Sequence, residues 1–178
     1  MHMMPVHKMS LVRDDYKNTE EWQIVSDYSD QLFEYISQPD ILRSLEGANV
    51  PGASSQEIQN ILLHRAKELG FRDESKGLFL NYQRNLRPDF YLEVHETGII
   101  IEVERGKTNQ NNMDFLDFWK CHICEVAHYL FLFVPNILIQ NSSGKIAGRP
   151  YEKVVQNLEP FFQIANYTNV RGVVIFGY

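Results

Sequence analysis

Residues 87–107, RPDFYLEVHETGIIIEVERGK, constrain this chain more than any other stretch. A Pro-Asp pair opens one alternating run, a short polar link follows, and a second run begins with three isoleucines and continues into Glu102-Val103-Glu104. A period of two predicts strands over residues 90–94 and 99–103, joined as a hairpin across residues 95–98. The same period places Asp89, Tyr91 and Glu93 on one face of the first strand, and Ile100, Glu102 and Glu104 on one face of the second. With the turn centred between Glu96 and Thr97, Asp89 lies opposite Glu104 and Tyr91 opposite Glu102. Opposed Cβ atoms stand about 5 Å apart, so this register gathers three carboxylates.

An E-x-E pair in an alternating strand is ordinarily its wet side. Here the isoleucines make both faces of the second strand apolar where it starts. Like charges opposed across strands cost up to about 1 kcal/mol per pair. A partly buried cluster must therefore raise its pKa values or hold a cation. Carboxylate oxygens suit a hard divalent ion, which lowers the pKa of a bound water and shields charge on a phosphodiester.

The elements around this hairpin follow from periodicity and punctuation. Trp22, Val25, Leu32, Phe33 and Ile36 recur at helical spacing over residues 19–37, with Pro39 closing that helix. GANVPGASS, residues 47–55, separates an acidic N-terminal segment from the rest. The expected division is a helical extension over residues 1–50 and an α/β domain over residues 51–178. Ser54 or Ser55 caps a second helix, with a stripe of Ile58, Ile61, Leu62, Ala66 and Leu69, and Gly70 ends it. Residues 78–82 read as a strand, residues 111–127 as a helix, and residues 129–134, YLFLFV, as a strand buried on both faces. A helix over residues 151–165 and an apolar strand over residues 172–176 complete the chain. The order implies a mixed central sheet, three antiparallel strands followed by crossover strands, flanked by helices.

On the strand placement of Pro88-Asp89 and Glu102-Val103-Glu104, residues 55–134 resemble the core of the PD-(D/E)xK, or restriction-endonuclease-like, nuclease superfamily. The helix SSQEIQNILLHRAKELGF also looks similar to that of archaeal-type Holliday junction resolvases. The resemblance implies a Mg²⁺- or Mn²⁺-dependent DNA phosphodiester hydrolase, with Glu57 as the helix acid, Asp89 as the acid of the PD pair and Glu102 as the (D/E). These three are the expected metal ligands. Glu104 stands where the family usually has Lys, as in some type II restriction enzymes with E-x-E. A Glu there acts as general base or further ligand, and Lys107 or Lys120 would restore the cation. The other reading is a catalytically inactive nuclease-fold module for binding or assembly.

Charge bears on partners. The net charge is −6, but residues 1–57 hold ten acids against four bases, and the rest is balanced at 13 of each. An acidic chain of this kind can still present a basic rim to DNA. Arg84, Arg87 and Arg105 flank the motif as expected phosphate contacts. The acidic N-terminal helix suits a protein partner, and a homodimer would suit double-strand cleavage. Cys121 and Cys124 are too few and too close for a disulfide framework. With no apolar run long enough to span a bilayer, the expectation is a cytoplasmic protein with reduced thiols. Cys121, Cys124 and His128 have spacing that invites zinc, but lack a paired knuckle and read as packing residues. GKTNQNN lacks the first glycine of a phosphate loop.

Overall fold

The computed structural model describes residues 5–73, 87–105, 112–140 and 142–178. Among these residues, six strands form one mixed sheet in the order β1-β8-β5-β4-β3-β2. They are β1 (His7–Val12), β2 (Arg72–Asp73), β3 (Phe90–Val94), β4 (Thr97–Val103), β5 (Tyr129–Val134) and β8 (Gly172–Gly177). The three central strands, β4, β5 and β8, run parallel; β1, β3 and β2 are antiparallel to their neighbours. A small ribbon of β6 (Leu138–Ile139) and β7 (Ile146–Gly148) lies outside this sheet. The mixed sheet between helical layers is the expected architecture.

Helices α1 (Glu20–Ile36), α2 (Pro39–Ala48) and α3 (Ser55–Glu68) cover one face; α4 (Met113–Ile123) and α5 (Pro150–Leu158) cover the other. Strand β5 shows why both layers are needed. Its residues Tyr129, Phe131 and Phe133 pack into the core with α1–α3, while Leu130, Leu132 and Val134 pack into the core with α4 and α5. A strand hydrophobic on every residue has no face to give to water.

Several local expectations change. Thr19 caps α1, its hydroxyl accepting the Trp22 N–H at 3.1 Å. Pro39 does not merely end that helix: it opens α2 from the first turn, where its missing N–H costs nothing. The helix α3 stops at Gly70, whose φ of +90° lets Phe71 N–H return to Ala66 O. The final helix is shorter than its periodicity suggests, because Pro160 falls where an amide should donate and the chain tightens to a 3₁₀ turn (Glu159–Phe162). The strand expected over residues 78–82 lies outside the described residues.

The described part of the extension expected over residues 1–50, from residue 5 on, is built into the same sheet and core. β1 pairs along the whole of β8, and Leu32, Ile36 and Leu45 are buried with Ile58, Ile99 and Phe131. Two acids of α1 are already engaged inside the chain. Glu21 pairs with Arg171 at 2.7 Å, and Asp30 with Lys8. Among the described residues, no helix is long and apolar enough to cross a membrane.

Candidate active site

The hairpin that carries the acids closes two residues tighter than the sequence reading places it. Val94 pairs with Thr97 and Phe90 with Ile101, leaving a two-residue turn of His95 and Glu96 with His95 at φ +50°. Asp89 therefore lies one step beyond the last pair, toward Glu102 rather than Glu104. A slip of two residues preserves which face each side chain occupies, so the acids still converge. That face is the one beneath α4, because Ile100, on the same side of β4 as Glu102, packs into the core with α4.

Asp89 is held from two directions. Its Oδ2 accepts the Val103 N–H at 2.7 Å, and its Oδ1 accepts from Gln59 Nε2 at 2.8 Å. Burial nevertheless pushes its pKa up to about 6. Glu102, 4% exposed, has its pKa raised by burial and then by the neighbouring Asp117 charge. Glu104 is raised to about 8, again by burial first and Asp117 second.

Two residues of α4 complete the cluster. The Lys120 ammonium lies 2.9 Å from Glu102 Oε1 and 2.9 Å from Asp117 Oδ1. Burial alone would lower its pKa, but the pull of Glu102 and Asp117 more than offsets this and raises it. Asp117 is fully buried, with its own pKa raised by burial. Apart from Lys120, its oxygens find no donor while Glu104 is ionised; a proton on Glu104 supplies one. Among the described residues, four carboxyl groups thus share one ammonium, and all four have raised pKa values.

This shortage of positive charge, with the buried Asp117 Oδ2 lacking a donor while Glu104 is ionised, is the environment that a divalent cation relieves, and oxygen is the donor type it prefers. By charge and donor chemistry the residues fit such an ion. No three His, Cys, Asp or Glu side chains among the described residues are arranged to hold a metal ion together.

The remaining expected site residues fall differently. Glu57 is exposed on α3, and the α3 side chain that reaches the cluster is Gln59. Two residues along a helix are separated by about 200°, so Gln59 and Glu57 point to opposite sides. Arg87 is exposed beside Asp89. Arg105 donates to Ala53 O, while its Nε is buried without a partner. Lys107 and Arg84 lie outside the described residues. Sequence reasoning left out Asp117 and Gln59; the i, i+3 spacing of Asp117 and Lys120 on one helix was the available signal for the first.

Cys121 and Cys124 are free and buried. Cys121 faces Ala127 O, while His128 bonds Thr97 Oγ1 at 2.8 Å. The packing reading of these residues matches their surroundings.

A mixed sheet with a leading hairpin, a parallel crossover through α4 and acids under that crossover defines a restriction-endonuclease-like α/β fold. No protein-family model and no curated protein matches the sequence. Among solved structures, the chain is similar to the restriction endonuclease BglII complexed with a DNA 16-mer. The superposition has a TM-score of 0.54 and 10% identity, over 98% of this chain and 78% of that one. At that identity the likeness shows the fold alone.

Proposed function

We propose that this chain is a divalent-metal-dependent DNA phosphodiester hydrolase. The observation that carries the reading is Lys120. The E-x-E motif lacks the strand lysine of the family it resembles, and α4 brings an ammonium to 2.9 Å from Glu102. The fold of a DNA-bound restriction endonuclease adds support.

In this reading Asp89 and Glu102 hold a Mg²⁺ or Mn²⁺, which acidifies water and offsets phosphate charge when bound. Lys120 binds and orients a nonbridging oxygen of the scissile phosphate as negative charge develops there. Glu104 accepts the proton of the attacking water at its carboxylate. Its pKa near 8 suits a general base working at neutral to mildly alkaline pH. Asp117 fixes the Lys120 ammonium, and Gln59 with the Val103 amide fixes the Asp89 carboxylate. Water attacks phosphorus in line, and the opposite P–O bond breaks with its electron pair going to the leaving oxygen, which takes a proton from solvent. Arg87 and Arg105 flank the acids as phosphate contacts. Glu57, on the far side of α3, has no part in this assignment.

One observation favours the inactive-module reading: Lys120 already neutralises part of the acid charge from within. The discriminating experiment is cleavage of supercoiled and linear DNA with Mg²⁺ or with EDTA, beside thermal unfolding with Mn²⁺. A nuclease cleaves only with metal and loses cleavage in Asp89→Ala and Glu102→Ala variants that still fold. Its melting temperature rises with Mn²⁺ in the wild type and not in Glu102→Ala, because an ion binding only the native state stabilises it by mass action. No cleavage and no rise would refute the proposal in favour of the inactive module. A rise without cleavage would point to a different substrate.

A further inference from the structure

Glu104 lies one residue beyond β4 and beyond that strand's last pairs, Ile101 with Phe90 and Val103 with Phe133. Strand pairing no longer fixes its backbone there, yet its side chain has to enter the acid cluster in one direction. Two hydrogen bonds take over. The Glu104 N–H donates to Phe133 O at 2.8 Å, and the Glu104 carbonyl accepts from the Tyr178 hydroxyl at 2.8 Å. Tyr178 follows β8 and is itself fixed at both ends of its backbone. Its N–H donates to Val134 O at 3.1 Å, and its carbonyl accepts the Asn136 N–H at 2.6 Å. It is 4% exposed and packs in the core with α1–α3, on the side of the sheet away from the acids. A Tyr buried in such a core needs a partner for its hydroxyl, whereas a Phe would need none. Here that partner is the main chain of the proposed general base.

We infer that Tyr178 is a positioning residue for Glu104. By holding the Glu104 carbonyl, its hydroxyl fixes the direction in which the Glu104 carboxyl enters the cluster. This rests on the reading of Glu104 as the group that takes the proton of the attacking water. Tyr178 acts through the main chain and from beneath the sheet, so it touches neither the substrate nor the reacting water. The two bonds divide the task. The N–H to Phe133 O sets the peptide before Glu104, and the Tyr178 hydroxyl sets the peptide after it. The dihedrals between those two peptides decide where Cβ points. A misplacement of about 1 Å in a catalytic group can cost about a hundredfold in rate. Groups that bind DNA elsewhere on the chain would be untouched, so losing the hydroxyl should slow turnover without weakening binding.

The test compares the wild type, Tyr178→Phe and Phe176→Leu, each as the full chain. Phe176 stacks on Phe133 at 4.4 Å in the same core, so its variant reproduces a packing loss while leaving the Tyr178 hydroxyl in place. With Mg²⁺ and linear DNA, kcat of Tyr178→Phe should fall about ten- to a hundredfold with KM within about twofold, while Phe176→Leu keeps both within about twofold. In EDTA and without DNA, the Glu104 amide of Tyr178→Phe should exchange its hydrogen about tenfold faster, while the Val103 amide, held by Asp89, keeps its rate. A Tyr178→Phe variant that cleaves at the wild-type kcat overturns the inference and leaves the nuclease reading standing. An equal loss in Phe176→Leu does the same, since the effect would then be one of packing. A change in KM alone, or unchanged exchange at Glu104, also overturns it. A wild type that does not cleave refutes the nuclease reading itself, and Tyr178 then has no base to position.

Discussion

Replacing Lys120 with Met removes the one ammonium that the described residues bring to four clustered carboxyls, while keeping most of the side chain's length. At 2.9 Å from both Glu102 and Asp117, each attraction is about 6 kcal/mol at an effective dielectric near 20, before the cost of burying the ammonium is deducted. Experience with buried pairs puts the net loss on removing one partner at about 3–5 kcal/mol. Protonation limits that loss. Glu102 can take a proton instead of standing uncompensated, and starting from an ordinary value of 4.5 this costs about 5 kcal/mol at pH 8 and under about 1 kcal/mol at pH 5. The variant should therefore lose about 3–5 kcal/mol at pH 8 and about 1 kcal/mol at pH 5. Urea unfolding in EDTA at the two pH values measures both. An equal loss at both, or less than about 1 kcal/mol at pH 8, would refute the placement of Lys120 as the charge partner of these acids.

Glu104 gives a pH prediction of definite sign. Its folded pKa near 8 lies above its ordinary 4.5, so between those values the folded state holds more protons than the unfolded one, and stability falls as pH rises. Glu104→Gln keeps an N–H donor toward Asp117 and removes that titration. From pH 5.5 to 7.5, without metal, the wild type should lose about 2 kcal/mol more than the variant, by urea titration at each pH; parallel curves would show that Glu104 does not carry the proton. At the hairpin, Gly98→Ala would set a Cβ 2.8 Å from Val126 O and 2.9 Å from Leu92 O, both backbone atoms that cannot step aside. A destabilisation of about 3 kcal/mol or more is expected in the same assay, and a change under about 1 kcal/mol would mean that β4 is less tightly apposed to β3 and to the turn after α4.

How much of this was legible depends on how local each feature is. The face shared by Asp89, Glu102 and Glu104 came from alternation alone, and it survived an error of two residues in the hairpin register because two is the period of the strand. The fully apolar run Tyr129–Val134 likewise announced a strand covered on both sides. By contrast β1 was invisible: only Val12 of its six residues is buried, and what makes it a strand is the free edge of β8, more than 150 residues away in sequence.

Helix α3 marks the boundary between the two kinds of information. Its sequence pointed to Glu57 as the helix acid, whereas the residue that meets Asp89 is Gln59, a choice decided by how the helix is rolled against the sheet. The choice of Lys120 has the same origin. Periodicity shows that α4 is a helix with Asp117 and Lys120 one turn apart, but the distance from Lys120 to Glu102 is set by where the crossover from β4 to β5 lays that helix. The sequence by itself determined those strands and helices whose pattern is local, and which of their side chains share a face, because those follow from backbone geometry within a few residues. Only the tertiary structure decided which helix residues join the acids and how far their pKa values move, because docking angle and burial are properties of the packed layers.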